Sequence, residues 1–246
     1  MRALFALGAL VLLVFAFAWL APASLVDGRI AAATEGRVRL ADATGTVWRG
    51  AGALTDGQGR WQVPLAWRVD AWSLARGAFT VQLVPTAIAD ARGTMLAERD
   101  TVRVSGLHVD VPARALEAFW TSAPVPRLDG MLVVDAPSFA SDGRTAAGQF
   151  DLAWTGARAS LAGLALNLGR VEAHGRPADD AIAIALSGSG GDVALRGTAT
   201  WRAGRVGGDV TLMPSPGAPP AVAVALRALG RSEPDGTIHL TWPAGR

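Results

Sequence analysis

The first twenty residues and the rest of the chain obey different hydrophobic rules. After Met1 and Arg2, the 18 residues from Ala3 to Leu20 include no polar side chain, and no charge follows before Asp27. That length approaches the roughly 20 residues needed to cross a hydrocarbon core about 30 Å thick. Beyond it the dominant period is two. Val63, Leu65, Trp67 and Val69 alternate with Gln62, Pro64, Ala66, Arg68 and Asp70, which gives a strand one apolar and one mainly polar face. Phe79-Val81-Leu83, Val102-Val104, Phe150-Leu152-Trp154, Leu164-Leu166-Leu168, Ile182-Ile184-Leu186 and Ile238-Leu240-Trp242 repeat the alternation. Turn signals separate them: Thr55 to Gly59, Ser141-Asp142-Gly143, Gly188 to Asp192 and Gly207-Gly208-Asp209. Short alternating runs joined by such turns predict an antiparallel meander. At Ser105-Gly106 the apolar phase slips from Val102 and Val104 to Leu107, Val109 and Val111, as a bulge or a break between strands requires.

Two stretches leave this pattern. Pro112 followed by Leu116, Phe119 and Trp120 has the proline start and spacing of a short amphipathic helix. Pro219-Pro220 with Val222, Val224, Leu226 and Leu229, stopped by Gly230, predicts a second. A shift of 106 positions lays Trp48-Arg49-Gly50-Ala51 on Trp154-Thr155-Gly156-Ala157 and Asp129-Gly130 on Asp235-Gly236. The expected fold is therefore mainly β: an N-terminal membrane helix over residues 1–26, then a curved antiparallel meander over 27–246. Two related halves, about 27–140 and 141–246, would build it, each with one short helix.

A buried core helix is disfavoured for the apolar start, because a helix apolar all round at the extreme terminus finds no shell, which leaves two readings. Ala21-Pro22-Ala23 has the small-x-small form of a signal-peptidase site, but an apolar core of 18 exceeds the usual 7 to roughly 15 residues of a signal peptide. Length favours an uncleaved anchor. In either reading Arg2, the only basic side chain at this end, stays cytoplasmic by the positive-inside rule, and the body crosses to the periplasm.

Composition narrows the chemistry. Half of the 246 residues are apolar, which excludes a disordered chain, and 29 glycines with 14 prolines suit many strands and turns. Cysteine is absent, so there is no disulfide, thiolate nucleophile or cysteine metal site. All 23 basic residues are arginine and the net charge is only +2, without a basic run, so no nucleic-acid footprint is present. A phosphate loop of the Walker type needs the lysine this chain lacks. His108, His174 and His239 are the only histidines; none sits at metal spacing or beside a nucleophile elbow. His108 and His239 fall on the polar phase of their strands and read as solvated, as does the turn pair Asp179-Asp180. Arg37 and Arg39, close after the apolar segment, face either lipid headgroups or open solvent. No catalytic, cofactor or metal residue is expected.

One resemblance is specific. Leu40, Gly45-Thr46-Val47-Trp48-Arg49-Gly50, Leu65-Ala66-Trp67-Arg68-Val69 and Leu74-Ala75-Arg76-Gly77 together resemble the type II secretion system protein N family, with Gly-Thr-x-Trp-x-Gly the distinctive part. Gly45, Thr46, Trp48, Gly50, Trp67, Leu74 and Gly77 carry it. Physically Trp48, Trp67 and Trp154 read first as strand residues packed in a sheet core and second as direct partner contacts, and the glycines as sites of tight turning or close backbone approach. The resemblance implies an accessory, non-enzymatic inner-membrane component of the machine that exports folded proteins from the periplasm. It would dock on the outer-membrane secretin or on inner-membrane platform proteins. An anchor followed by a curved meander also resembles the AsmA-like periplasmic proteins, which implies lipid handling on an apolar groove lined by residues such as Leu164, Leu166 and Leu168. A glycan-cleaving envelope enzyme is the third expectation, and no site for it assembles from the sequence.

Overall fold

The structure, a computed structural model, describes residues 20–119, 127–161, 164–202, 205–229, 233 and 236–242. Of the expected anchor over 1–26, residues 1–19 lie outside these residues, as do Trp120, Gly230 and Asp235. Among the described residues no helix is long and apolar enough to cross a membrane.

Among the described residues thirteen strands form one antiparallel sheet in sequence order. The first six are β1 (Arg39–Gly45), β2 (Arg49–Thr55), β3 (Gln62–Asp70), β4 (Ala78–Val84), β5 (Arg92–Glu98) and β6 (Thr101–Pro112). Then come β7 (Arg127–Ser141), β8 (Ala146–Leu161), β9 (Leu164–Ala178), β10 (Ala181–Ser189), β11 (Val193–Arg202), β12 (Arg205–Pro214) and β13 (Ile238–Trp242). The phase slip at Ser105-Gly106 falls inside β6. Opposite β7, Ser105 pairs with Ser138 and Leu107 with Ala136, so the strand continues through the irregularity.

Alternation builds a single apolar face. Val109, Val134, Leu152, Ala173, Leu186, Gly197, Val210 and Leu240 are successive cross-strand partners from β6 to β13. This face is the inside of a curve. The rings of Phe139 on β7 and Trp201 on β11 stack with centroids 5.3 Å apart, whereas strands four apart in a flat sheet would stand roughly 19 Å apart. In the first half, Val63 of β3 shares a core cluster with Val109 and Val111 of β6, three strands on.

Helices fill the curve. Helix α1 (Ser24–Ala33) lays Val26 and Ile30 on Leu40, Trp67 and Val69. A 3-10 helix, Ala113–Phe119, follows Pro112 and buries Ala113 and Ala115. Helix α3 (Pro220–Leu229) sets Val222 and Leu226 on Val193, Val210, Leu212 and Ile238. Between β3 and β4 lies a short α2 (Ala71–Ala75). Gly207-Gly208-Asp209, expected as a turn, lies inside β12, because pairing with Thr198 to Thr200 of β11 holds it extended. Two further differences from the expectation stand out. The segment after Pro112 winds as 3-10 rather than α, and α1 and α2 were not foreseen. Helix α1 buries no side chain fully and is only weakly amphipathic, Leu25 lying off the face of Val26 and Ile30, so its period carries little signal. Helix α2 is too short to show one, although its capping residues, Asp70 before it and Gly77 after it, stood in the sequence.

Candidate functional site

The seven motif residues fall in two adjoining places. Gly45, Thr46, Trp48, Gly50 and Trp67 gather at the β1–β2 turn and the strand behind it, while Leu74 and Gly77 belong to α2 and its end. The turn closes on itself: Thr46 N–H donates to the Arg49 carbonyl at 2.8 Å, and Arg49 N–H donates back to Thr46 Oγ1 at 3.2 Å. Gly45 has φ +83°, and a Cβ there would lie 2.5 Å from the Arg49 carbonyl oxygen. Gly50 lies under the Trp67 ring, where a Cβ would come within 2.5 Å of Cζ2. Trp67, only 6% exposed, donates its Nε1–H to the Val47 carbonyl at 3.0 Å. Val69 N–H reaches the Trp48 carbonyl at 2.7 Å. Trp48 is half-buried against the cluster of Ala23, Leu40, Trp67 and Val69. Gly77, with φ +76°, ends α2 by donating its N–H to the Leu74 carbonyl at 3.0 Å.

This turn receives the chain that follows the apolar N-terminus. Val47 N–H donates to the Ala21 carbonyl at 2.9 Å, Ala23 N–H donates to the Gly45 carbonyl at 3.1 Å, and Pro22 bridges Thr46. No spacing rule in the sequence could pair residues 21–23 with 45–47. A comparable bond occurs on β8, where Trp154 donates its Nε1–H to the Asp129 carbonyl at 2.9 Å.

Helix α1 is clamped to the same sheet edge by Asp27. Its carboxylate accepts from Arg39 Nε at 2.9 Å and from the Leu40 N–H at 2.8 Å. Those bonds, the Arg39 one foremost, hold its pKa down to about 2. Arg37 likewise pairs with Glu35. Both arginines thus have a carboxylate partner within the domain.

Under α1 an apolar trough of about 590 Å³ runs between the helix and β1 to β5. Leu25, Ile30, Leu65, Trp67, Phe79, Leu83 and Met95 are among its walls, and among the described residues Arg29 is the one charged residue lining it. Leu166 and Leu168 pack instead against the core beneath α3, while the side chain of Leu164 lies outside the described set.

On the polar face the histidines hold carboxylates. His108, Asp135, Asp151 and His174 are direct cross-strand neighbours from β6 to β9. Each histidine Nδ1 lies 2.6 Å from its aspartate. Asp151 is pushed below the ordinary carboxylate range, first by the His174 bond and then by Arg176. The two aspartates face each other directly across β7 and β8, and each also has a histidine ring at hydrogen-bond distance, so these rings are partnered rather than merely solvated. His239, which is exposed, contacts Thr211 and Glu233. Among the described residues no group of three or more histidines and carboxylates is placed to hold a metal ion.

Residues 36–241 match the model of the family described as type II secretion system (T2SS), protein N. No curated protein and no solved structure matches the chain.

Proposed function

The chain belongs to the type II secretion system protein N family, and from that premise we propose that it is an accessory inner-membrane component of the secretion machine. In this reading residues 3–20 form a single membrane anchor, retained in the mature chain, and the β-domain works in the periplasm without enzymatic activity. Its role is to dock on secretin domains or on inner-membrane platform proteins. We read β2–β7 and β8–β13 as a duplicated unit. Each has six strands, with a helical segment before the last.

The observation that carries the docking role is the grip of the family-motif turn on residues 21–23. A domain joined this closely to an anchor stays beside the other membrane components, where tethering raises its effective concentration and lets a weak interface fill. Photo-crosslinking in native membranes tests the reading. Adducts with secretin or platform proteins are expected, and a deletion strain should lose export of folded proteins while every envelope enzyme stays active. A strain that secretes normally without the protein would overturn it.

The trough under α1 favours a second reading, lipid handling. Its volume lies within the roughly 300–1,000 Å³ range of small-molecule sites, which are mostly apolar with a few polar groups, and Arg29 supplies the charge. Mass spectrometry of the chain extracted in native lipid particles and then delipidated is the check. Phospholipid that survives delipidation, together with altered envelope lipid composition in a strain that still secretes, would replace docking with lipid handling.

A further inference from the structure

We propose that the end of the domain bearing Arg49, Arg68 and Trp72 rests on the anionic phospholipid headgroups surrounding the anchor, so that the sheet holds one orientation to the membrane. The proposal rests on the reading of residues 3–20 as an anchor.

The first reason is a lack of slack. Leu20 is the last residue of the apolar run, and within the next three residues the backbone is bonded to the β1–β2 turn at Ala21, Pro22 and Ala23. A chain leaving a bilayer at Leu20 brings that turn to the bilayer surface, with no linker to swing on.

The second reason is the chemistry found there. Leu20 shares a shallow cavity of about 570 Å³ with Thr46, Trp48, Arg49, Arg68 and Trp72. Arg49 and Arg68 are direct partners across β2 and β3, an arrangement in which like charges repel. Both are exposed, and neither has a carboxylate partner among the described residues. Asp70, the acid in the same wall, is engaged elsewhere: it accepts from the Trp72 N–H at 3.0 Å and faces Arg76 at 3.7 Å. A layer of phosphates is the complement such a pair lacks, because the guanidinium fork fits phosphate geometry.

The third reason is apolar exposure. Trp72 stands 80% exposed and Leu20 70%. An indole with a wet end and a greasy body is at home at the headgroup level, where tryptophan is enriched.

The chain has no cysteine, which makes a labelling test clean. Full-length Trp72→Cys and, as a distant control on β12, Met213→Cys are placed in nanodiscs of phosphatidylglycerol or of phosphatidylcholine. Modification by a charged maleimide is then timed. Position 72 should react more slowly than position 213 in phosphatidylglycerol, and added salt should abolish the difference. Arg49→Gln and Arg68→Gln should each weaken the protection roughly five-fold. Equal rates at 72 and 213 in both lipids would overturn the proposal. Protection that ignores lipid charge and grows with protein concentration would also overturn it, marking a protein interface instead. Alkaline carbonate separates the two readings. A chain it strips from native membranes has no anchor, whereas a retained chain with a freely reactive position 72 sinks the headgroup contact alone.

Discussion

At Gly50 a single hydrogen atom decides whether the motif turn can form. A methyl group there would lie 2.5 Å from Trp67 Cζ2 and 2.8 Å from the Thr44 carbonyl, and neither the buried ring nor the strand backbone can retreat. Gly50→Ala should therefore cost about 1–3 kcal/mol, the usual penalty of overpacking. Gly57→Ala, in a turn with nothing within 4 Å of the added carbon, should stay within about 0.5 kcal/mol of wild type. Denaturant midpoints followed by tryptophan fluorescence compare the two. The neighbouring tryptophans carry a functional version of the same argument. Trp67→Phe strips the Val47 carbonyl of its 3.0 Å donor, at about 1 kcal/mol, and is expected to lower protein abundance and secretion together. Trp48, only half-buried, is the residue whose replacement by alanine discriminates. Reduced abundance assigns it to packing, whereas normal abundance with blocked secretion assigns it to a partner interface.

At the scale of the element, α1 is held by its attachments more than by its own pattern. It buries no side chain fully and has no side-chain N-cap, so the Asp27 clamp on Arg39 and Leu40 is its main specific tie. The sign of its pH dependence follows from the depressed pKa of about 2 against roughly 3.9 in the unfolded chain. Between those values the unfolded state binds more protons, so stability rises with pH. The contribution is fully present above about pH 4 to 5 and lost as pH falls through about 2. Asp27→Asn should remove this acid-sensitive share and speed amide exchange in α1 at neutral pH, while exchange in β7 to β9 stays unchanged. Hydrogen exchange with mass spectrometry reads both. Unaltered exchange in α1 would mean that Val26 and Ile30 suffice to dock it.

Across the whole molecule, curvature is the property the structure displays, and tethering is the property the proposed function requires. An open sheet of thirteen strands would splay without something to bend it, and the Phe139–Trp201 stack at 5.3 Å spans the bend. A double-mutant cycle on these two residues should return a coupling of about 0.5–1.5 kcal/mol, the usual range for an aromatic pair. Intact-mass measurement of membrane-extracted protein should find the N-terminus retained. A mature chain starting at Ser24 would leave a soluble domain. Rescue of export in a deletion strain should then follow the anchor: membrane-tethered forms restore it and a secreted β-domain does not, because only the former keeps the domain concentrated beside its partners.

The apolar N-terminus, the strand periods, the family motif and the turns at Thr55 to Gly59, Ser141 to Gly143 and Gly188 to Asp192 were legible in the sequence because each is written in neighbouring residues. Gly207-Gly208-Asp209, by contrast, has turn composition but is held in β12 by pairing on both sides. Alternation along Val63 to Val69 needs no partner to be seen, and it reappears as one face of β3. Asp70 and Gly77 marked the ends of a helix that went unread beside the stronger strand signal. Tertiary structure alone decided which elements meet. The bend that stacks Phe139 on Trp201 joins residues 62 positions apart, and the motif turn is bonded to residues 21–23. The trough exists because α1 crosses strands it does not resemble in pattern. In each case the energy resides in contacts between distant segments, which a one-dimensional period does not record.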